Sequence, residues 1–241
     1  MNTKTVLILG ANSDVAKEAI VQYLQHGCHV IAASRSIDAL HRFVQDRSLD
    51  ASKVEVLYFD AVDFASHAGF YQGIKTKPSI VLYAAGYLVD NQEALLDWDR
   101  TYQMMNVHYC GAVSILNLIV SDQENVGLER IVGLSSLSGV RGRKSNFVYG
   151  SSKSAFTQYL AGLRQHLYDR NITVNVIVAG YIRSKMTAGL DLTESLMLEP
   201  SYIARAVVHV GNQFVSVPGL KWKLIYHVLR WMPEQLVAKL P

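Results

Sequence analysis

Cysteine and net charge are both scarce in this sequence. Two cysteines, Cys28 and Cys110, stand alone in apolar segments. That excludes a disulfide framework and points to a reducing, cytoplasmic compartment. The eight histidines are scattered, and no spacing of Cys, His and carboxylates suits a metal site. The formal charge is only +3, without a long basic run, so nucleic acid is not an expected partner. No apolar run is expected to cross a membrane. The opening MNTKTVLILGA is followed at once by Asn12, Ser13 and Asp14, and reads as a strand rather than a signal peptide. No internal repeat or low-complexity linker divides the chain.

What is present is enough apolar residue for one large core, half of the 241 positions. A single domain is expected over residues 1–241, with 218–241 as an amphipathic helical tail. Strand-like runs begin at Thr5, Cys28, Val54, Ser79, Arg130 and Ile172. Helical segments fall between them, at Val15 to about His26, Phe64 to Ile74, Trp98 to Val120 and Phe147 to Tyr168. In the third of these, Tyr102, Met105, Tyr109, Val113 and Leu116 trace an approximate apolar stripe. The alternation implies an α/β, Rossmann-type doubly wound parallel sheet with helices on both faces. Ligands in such sheets bind at the carboxyl ends of the strands. Gly10, Ser34, Asp60, Gly86, Ser136 and Gly180 all fall at or just past those ends.

Chemistry concentrates between Leu134 and Lys153. Tyr149 and Lys153 are four residues apart, hence on one helix face. A free phenol has a pKa near 10. An ammonium beside it favours the phenolate and draws it toward the range useful in proton transfer. Ser136, delivered by the fifth strand, is placed to bind the same substrate oxygen. At the other end of the chain, Gly10 suits a tight turn that lets a pyrophosphate reach a helix N-terminus. Asp14, repelled by phosphate, is expected to cap that helix. The second strand ends without an acid before Asp38 and offers Arg35. That pattern favours NADP(H) over NAD(H), because a guanidinium accommodates the 2′-phosphate. Asp60 suits the adenine amino group.

Together these residues resemble a classical short-chain dehydrogenase/reductase from about Thr5 to Met186. LGANSDVA, from Leu9, corresponds to the family's TGxxxGIG with only the first glycine kept. Tyr83-AAG replaces its Asn-Asn-Ala-Gly. Asn106, Ser136, Tyr149 and Lys153 match its catalytic tetrad in order and spacing. Ala179-Gly180 stands for its Pro-Gly, and Ser184 for the threonine that follows. The resemblance implies cofactor contacts from Gly10, Asn12, Ser13 and Val15, from Asp60 and Ala61, and from Ala85 and Gly86. Tyr149, Lys153, Gly180, Ile182 and Ser184 complete that set. It also implies Tyr149 as proton donor, Lys153 as its partner and the holder of the nicotinamide ribose, Ser136 orienting the carbonyl, and Asn106 holding a relay water.

The expected activity is carbonyl reduction to a secondary alcohol, or its reverse; the alternative is a non-catalytic dinucleotide sensor or scaffold. Leu190 to Leu198 is expected to form an apolar lid. Phe156, Tyr159, Leu160, Leu163 and Leu167 give the YxxxK helix more apolar surface than one sheet face needs, which suggests a homo-oligomer. The ending differs from the family's strand and Val-Asp-Gly-Gly. It is similar to reductases acting on decaprenylphosphoryl-2-keto-pentose, which implies a lipid-linked sugar as one candidate substrate beside soluble small molecules. Within it, Trp222, Ile225, Val228, Leu229 and Met232 mark one helical face, and Glu234 to Leu240 adds a short turn. That face either packs on the domain, the favoured expectation, or binds a membrane peripherally.

Overall fold

The computed structural model describes residues 3–239. Its seven strands are β1 (Thr5–Leu9), β2 (His29–Ser34), β3 (Val54–Tyr58), β4 (Ile80–Tyr83), β5 (Arg130–Ser136), β6 (Thr173–Ala179) and β7 (Val215–Ser216). They form one sheet in the order β3-β2-β1-β4-β5-β6-β7, and every pair is parallel. All five residues of β1 are buried. A central parallel strand with both faces covered needs the unbroken apolar run found there. The order reverses between β1 and β4, which opens a crevice at the carboxyl edge.

Helices α1 (Asp14–Gln25), α2 (Ile37–Asp46) and α8 (Pro200–Val208) cover one face. The other is covered by α3 (His67–Gly73), the run α5 (Trp98–Met105) to α6 (Gly111–Ser121), α7 (Phe147–His166) and α9 (Leu220–Trp231). α4 (Asn91–Leu96) and α10 (Glu234–Val237) are short; Leu240, expected in the last turn, lies outside the described residues. The sequence reading missed α2, α4, α8 and β7. β7 has only two residues and pairs with β6 at Val176 and Ile177, too short to show an alternating pattern.

Several expectations are corrected. The helix from Trp98 is not uniform: Asn106–Cys110 is a π turn, in which Gly111 N–H donates to Asn106 O. The buried side of this run carries Met104, Val107, Ala112, Ile115, Leu116 and Ile119. The expected stripe is therefore rotated off the core. Tyr102 and Tyr109 are exposed, and of that stripe only Leu116 is buried. The inserted residue of a π turn shifts helical register, so a strict 3.6-residue period drawn through it fails. Trp98–Ser121 is also long and apolar enough to span a membrane, against expectation, but 56% of its apolar window is buried in the domain. On α7 and at its end, Phe156, Leu160, Leu163 and Leu167 all face the core, and of the five expected residues only Tyr159 is partly exposed, so those residues give no surplus apolar surface for an oligomer.

The tail follows the favoured expectation, with a different set of residues. Trp222, Tyr226 and Leu229 are buried against the domain, whereas Val228 is exposed. Trp222 packs edge-on to Tyr181 at 4.9 Å and its Nε1 donates to Leu196 O at 2.8 Å. Arg141 caps the end of α9, donating to Leu229 O, Arg230 O and Met232 O at 3.1 to 3.3 Å.

Candidate active site

At the end of β1 the chain turns through Gly10, whose φ of +84° favours glycine. A Cβ there would lie 2.4 Å from Ala85 N. The turn is held by Gly10 N and Ala11 N, both donating to Ala33 O. Ser13, not Asp14, caps α1: its Oγ accepts from Ala16 N at 3.1 Å. Asp14 instead accepts from Lys185 N at 2.7 Å, across the mouth of the crevice. Its carboxylate is better satisfied by that amide than beside an anion site. The capped turn leaves the amides of Asp14 and Val15 for an anionic ligand. Asn12 Nδ2 donates to Ser34 Oγ at 2.8 Å and to Ser36 O at 2.7 Å, which fixes the end of β2 where Arg35 stands exposed. Asp60 is not a helix cap; it accepts from Val62 N at 3.1 Å.

β5 delivers Ser136, whose Oγ accepts from Ser138 N at 3.2 Å. Lys153 is buried on α7 and donates to Leu134 O at 3.2 Å. Its Nζ lies 5.9 Å from the Tyr149 ring centre. Burial pulls this ammonium down to about 8 and pushes the Tyr149 phenol up to about 12, with the Ser136 hydroxyl opposing. The expected lowering of Tyr149 by Lys153 is therefore not seen: desolvation dominates, and the ammonium is turned to a carbonyl.

One cavity of about 360 Å³ brings these groups together. It is lined by Gly10, Asn12, Ser13, Val15, Arg35, Asp60, Ala61, Ala85, Gly86, Ser136, Tyr149, Lys153, Gly180, Ile182 and Ser184. Every expected site residue is in this lining except Asn106. Asn106 is buried at the head of the π turn, next to Val107, which does line the cavity. Gly111 lets that turn lie close to the site, because a Cβ would meet Ala61 O at 2.1 Å. No residue from Leu190 to Leu198 lines the cavity; Met186 and Thr187 do. The expected lid packs instead on α9 through Leu196 and on Ile182 through a bridge at Leu198.

The sequence reading missed two braces. Tyr83, standing where the family pattern has an asparagine, donates its hydroxyl to Val107 O and packs on Phe156. It ties β4 to the π turn in place of a side-chain amide. His108 is fully buried between the two walls of the site. Tyr87 N donates to its Nε2 at 3.2 Å, its Nδ1 meets Ser152 Oγ at 2.8 Å, and Ser152 Oγ donates to Tyr149 O. That chain requires the neutral Nδ1–H tautomer. Burial, with the Lys153 charge adding, holds His108 well below the usual histidine range. Its ring stands edge-on to Tyr149 at 5.2 Å. A histidine two residues after Asn106 was the available signal, but nothing local tied it to Tyr149.

The model of the short chain dehydrogenase family matches residues 4–195. An uncharacterised oxidoreductase of Mycobacterium tuberculosis is 26% identical over 245 residues, covering 98% of this chain and 96% of the relative. One of Streptomyces coelicolor is 26% identical over 244 residues, with the same coverage. A short chain dehydrogenase from Burkholderia cenocepacia, solved in complex with NADP, superposes with a TM-score of 0.82 at 16% identity, covering 98% of this chain and 96% of that one. ElxO with NADP bound superposes at 0.80 and 19% identity, covering 90% and 97%. With four-fifths of its length matched by one family and its sheet shared with solved members, the chain belongs to the short chain dehydrogenase family of oxidoreductases.

Proposed function

We propose that the protein is an NADP(H)-dependent reductase that converts a carbonyl to a secondary alcohol, or runs the reverse reaction. The observation that carries this is the meeting of Ser136, Tyr149 and Lys153 with Gly10 and Arg35 in one cavity. The Gly10 cradle and the free amides of Asp14 and Val15 fit a dinucleotide pyrophosphate. Arg35 fits a 2′-phosphate, Asp60 with Ala61 the adenine, and Ala85, Gly86, Gly180, Ile182 and Ser184 the nicotinamide end. NADP-bound relatives of the same fold support the choice of cofactor. Held there, a nicotinamide cofactor would supply the hydride that the carbonyl carbon takes up. Ser136 holds the carbonyl oxygen, and Tyr149 gives that oxygen its proton. Burial alone pushes this phenol up to about 12 and works against the role, so the charge of Lys153 is what must bring it back toward the operating range. Lys153 steadies the phenolate left behind, and Asn106 holds a water that returns the proton through Lys153. An intact Ser136, Tyr149 and Lys153 speaks against a sensor or scaffold.

The whole chain is read as one domain, in the cytoplasm, acting on a small molecule or on a lipid-linked keto-sugar. The relatives above are named only as oxidoreductases; the lipid-linked class rests on the tail, and peripheral membrane contact belongs to it. A homo-oligomer is also part of this reading. Its support is the exposed Trp98, Tyr102 and Tyr109 beside Tyr159, not the core face of α7. The test is Tyr149→Phe, assayed with NADPH against a panel of ketones. Turnover falls at least about 100-fold while NADPH affinity stays within about threefold, as loss of a general acid alone requires. Retention of more than about a tenth of wild-type kcat would remove Tyr149 from the chemistry.

A further inference from the structure

α9 has two apolar faces, and the domain uses one. Trp222, Tyr226 and Leu229 are buried. On the opposite side Leu220, Leu224, Val228 and Trp231 recur at intervals of four, four and three residues, a single helical stripe. They are 84%, 67%, 49% and 76% exposed. At 100° per residue, Lys221 flanks this stripe on one side, and Lys223, His227 and Arg230 flank it on the other. No Asp or Glu occurs between Glu199 and Glu234.

Another exposed aromatic pair, Trp98 and Tyr102, 6.0 Å apart, lies among charges of both signs: Glu93, Asp97 and Asp99, with Arg100 paired to Glu93. Apolar groups among mixed charges suit another protein surface. An outward stripe flanked along its helix by cations, with Glu234 just past its end paired to Arg141 and a tryptophan near that end, suits the headgroup layer of an acidic bilayer, where apolar groups enter and cationic side chains snorkel.

We propose that the outward face of α9 docks on an anionic phospholipid bilayer. The inner face of the same helix braces the active site. Trp222 stacks against Gly180 so closely that a Cβ there would lie 2.0 Å from the indole. Its Nε1, with Lys221 Nζ, holds the segment at Ser195 and Leu196. Arg141, in the loop between Ser136 and Tyr149, grips the carbonyl end. Docking thus sets the bilayer on the helix that supports both walls of the nicotinamide pocket. The proposal deepens the membrane part of the reading above and is separable from its chemistry, because Tyr149→Phe protein must dock as wild type does.

The test is flotation of the full-length protein with vesicles of about three parts phosphatidylcholine to one part phosphatidylglycerol, at low salt. Wild type floats with these vesicles, not with phosphatidylcholine alone, and is released as salt shortens the screening length. Leu224→Glu combined with Trp231→Glu lowers partitioning at least about tenfold, with unchanged far-ultraviolet circular dichroism. Lys223→Glu, at an exposed position beside the stripe, lowers it about tenfold through charge alone. Wild type that stays soluble overturns the proposal, as does binding that the double variant leaves intact. If wild type stays soluble and the double variant instead lowers the particle mass by light scattering, the stripe joins copies of this chain and the proposal is likewise overturned.

Discussion

The two ends of the cavity are built from different materials. At the nicotinamide end, side chains do the work: Lys153 is buried on Leu134 O, and His108 and Ser152 link Tyr87 to the backbone of Tyr149. At the end proposed for the adenosine, Gly10 turns on Ala33 O through backbone, the Ser13 and Asn12 side chains are spent on bonds within the protein, and Arg35 stands exposed. The first kind of site depends on residue identity and tolerates little change. The second depends on the path of the chain and tolerates drift, as long as a glycine remains at Gly10. This accounts for the match of Asn106, Ser136, Tyr149 and Lys153 to the family pattern beside a turn that keeps one of the family's glycines.

The largest effect expected from this contrast, after loss of the Tyr149 hydroxyl, is on Lys153. Burial lowers it from 10.5 to about 8, so the folded protein carries that ammonium at neutral pH at a cost of about 3 kcal/mol. Between pH 8 and 10.5 the unfolded chain binds the extra proton, so stability rises with pH across that window. Lys153→Met is therefore more stable than wild type at pH 7, and the gap closes as pH rises from 8 toward 10.5. The other titrating groups are common to both proteins, so the difference between them isolates the lysine. Chemical denaturation at several pH values measures it. A gap that stays constant with pH would show that Lys153 is solvated in the folded protein.

A smaller effect is expected at the other end. Arg35→Ala weakens NADPH by about tenfold to a hundredfold, the range of a charge-assisted hydrogen bond. NADH, which lacks the 2′-phosphate, changes by less than about twofold. Fluorescence titration with both cofactors checks this, and equal losses would make Arg35 part of the scaffold.

The fold was legible because the central parallel strands are apolar runs, and several strand ends lead into a small or polar residue. Gly10, Ser136 and Gly180 are examples, and all three line the cavity. Tyr149 and Lys153 were legible because they stand four residues apart on one helix, whereas Asn106, on a separate element, lies outside the cavity lining. What escaped was set by tertiary contact or by broken period. The π turn at Asn106 displaced the apparent stripe of α5 and α6. His108 acts on residues 21 and 44 positions away. The core face of α7 looked like surplus surface until β5 and β6 were laid against it. In the tail, period alone could not say which of two apolar faces turns inward; the close fit of Trp222 on Gly180 decides it.

The smallest effect tests the contrast most directly, and it falls on Ser13. Its backbone is extended, with φ −66° and ψ 147°, and its hydroxyl accepts from Ala16 N. That oxygen is therefore engaged within the protein, although Ser13 lines the cavity. If the adenosine end binds through backbone, removing the hydroxyl costs helix stability and little else. Ser13→Ala is expected to lower stability by about 1 kcal/mol, the usual loss of an N-cap. NADPH affinity is expected to stay within about threefold, because the amides of Asp14 and Val15 remain at the helix start. Ser13→Asp restores the cap but sets a carboxylate beside the anion site. It should recover stability and weaken NADPH, so the two properties move in opposite directions. Thermal melts and cofactor titrations on the two variants separate them. A tenfold loss of NADPH affinity in Ser13→Ala at unchanged stability would mean that this end, too, is built from side chains.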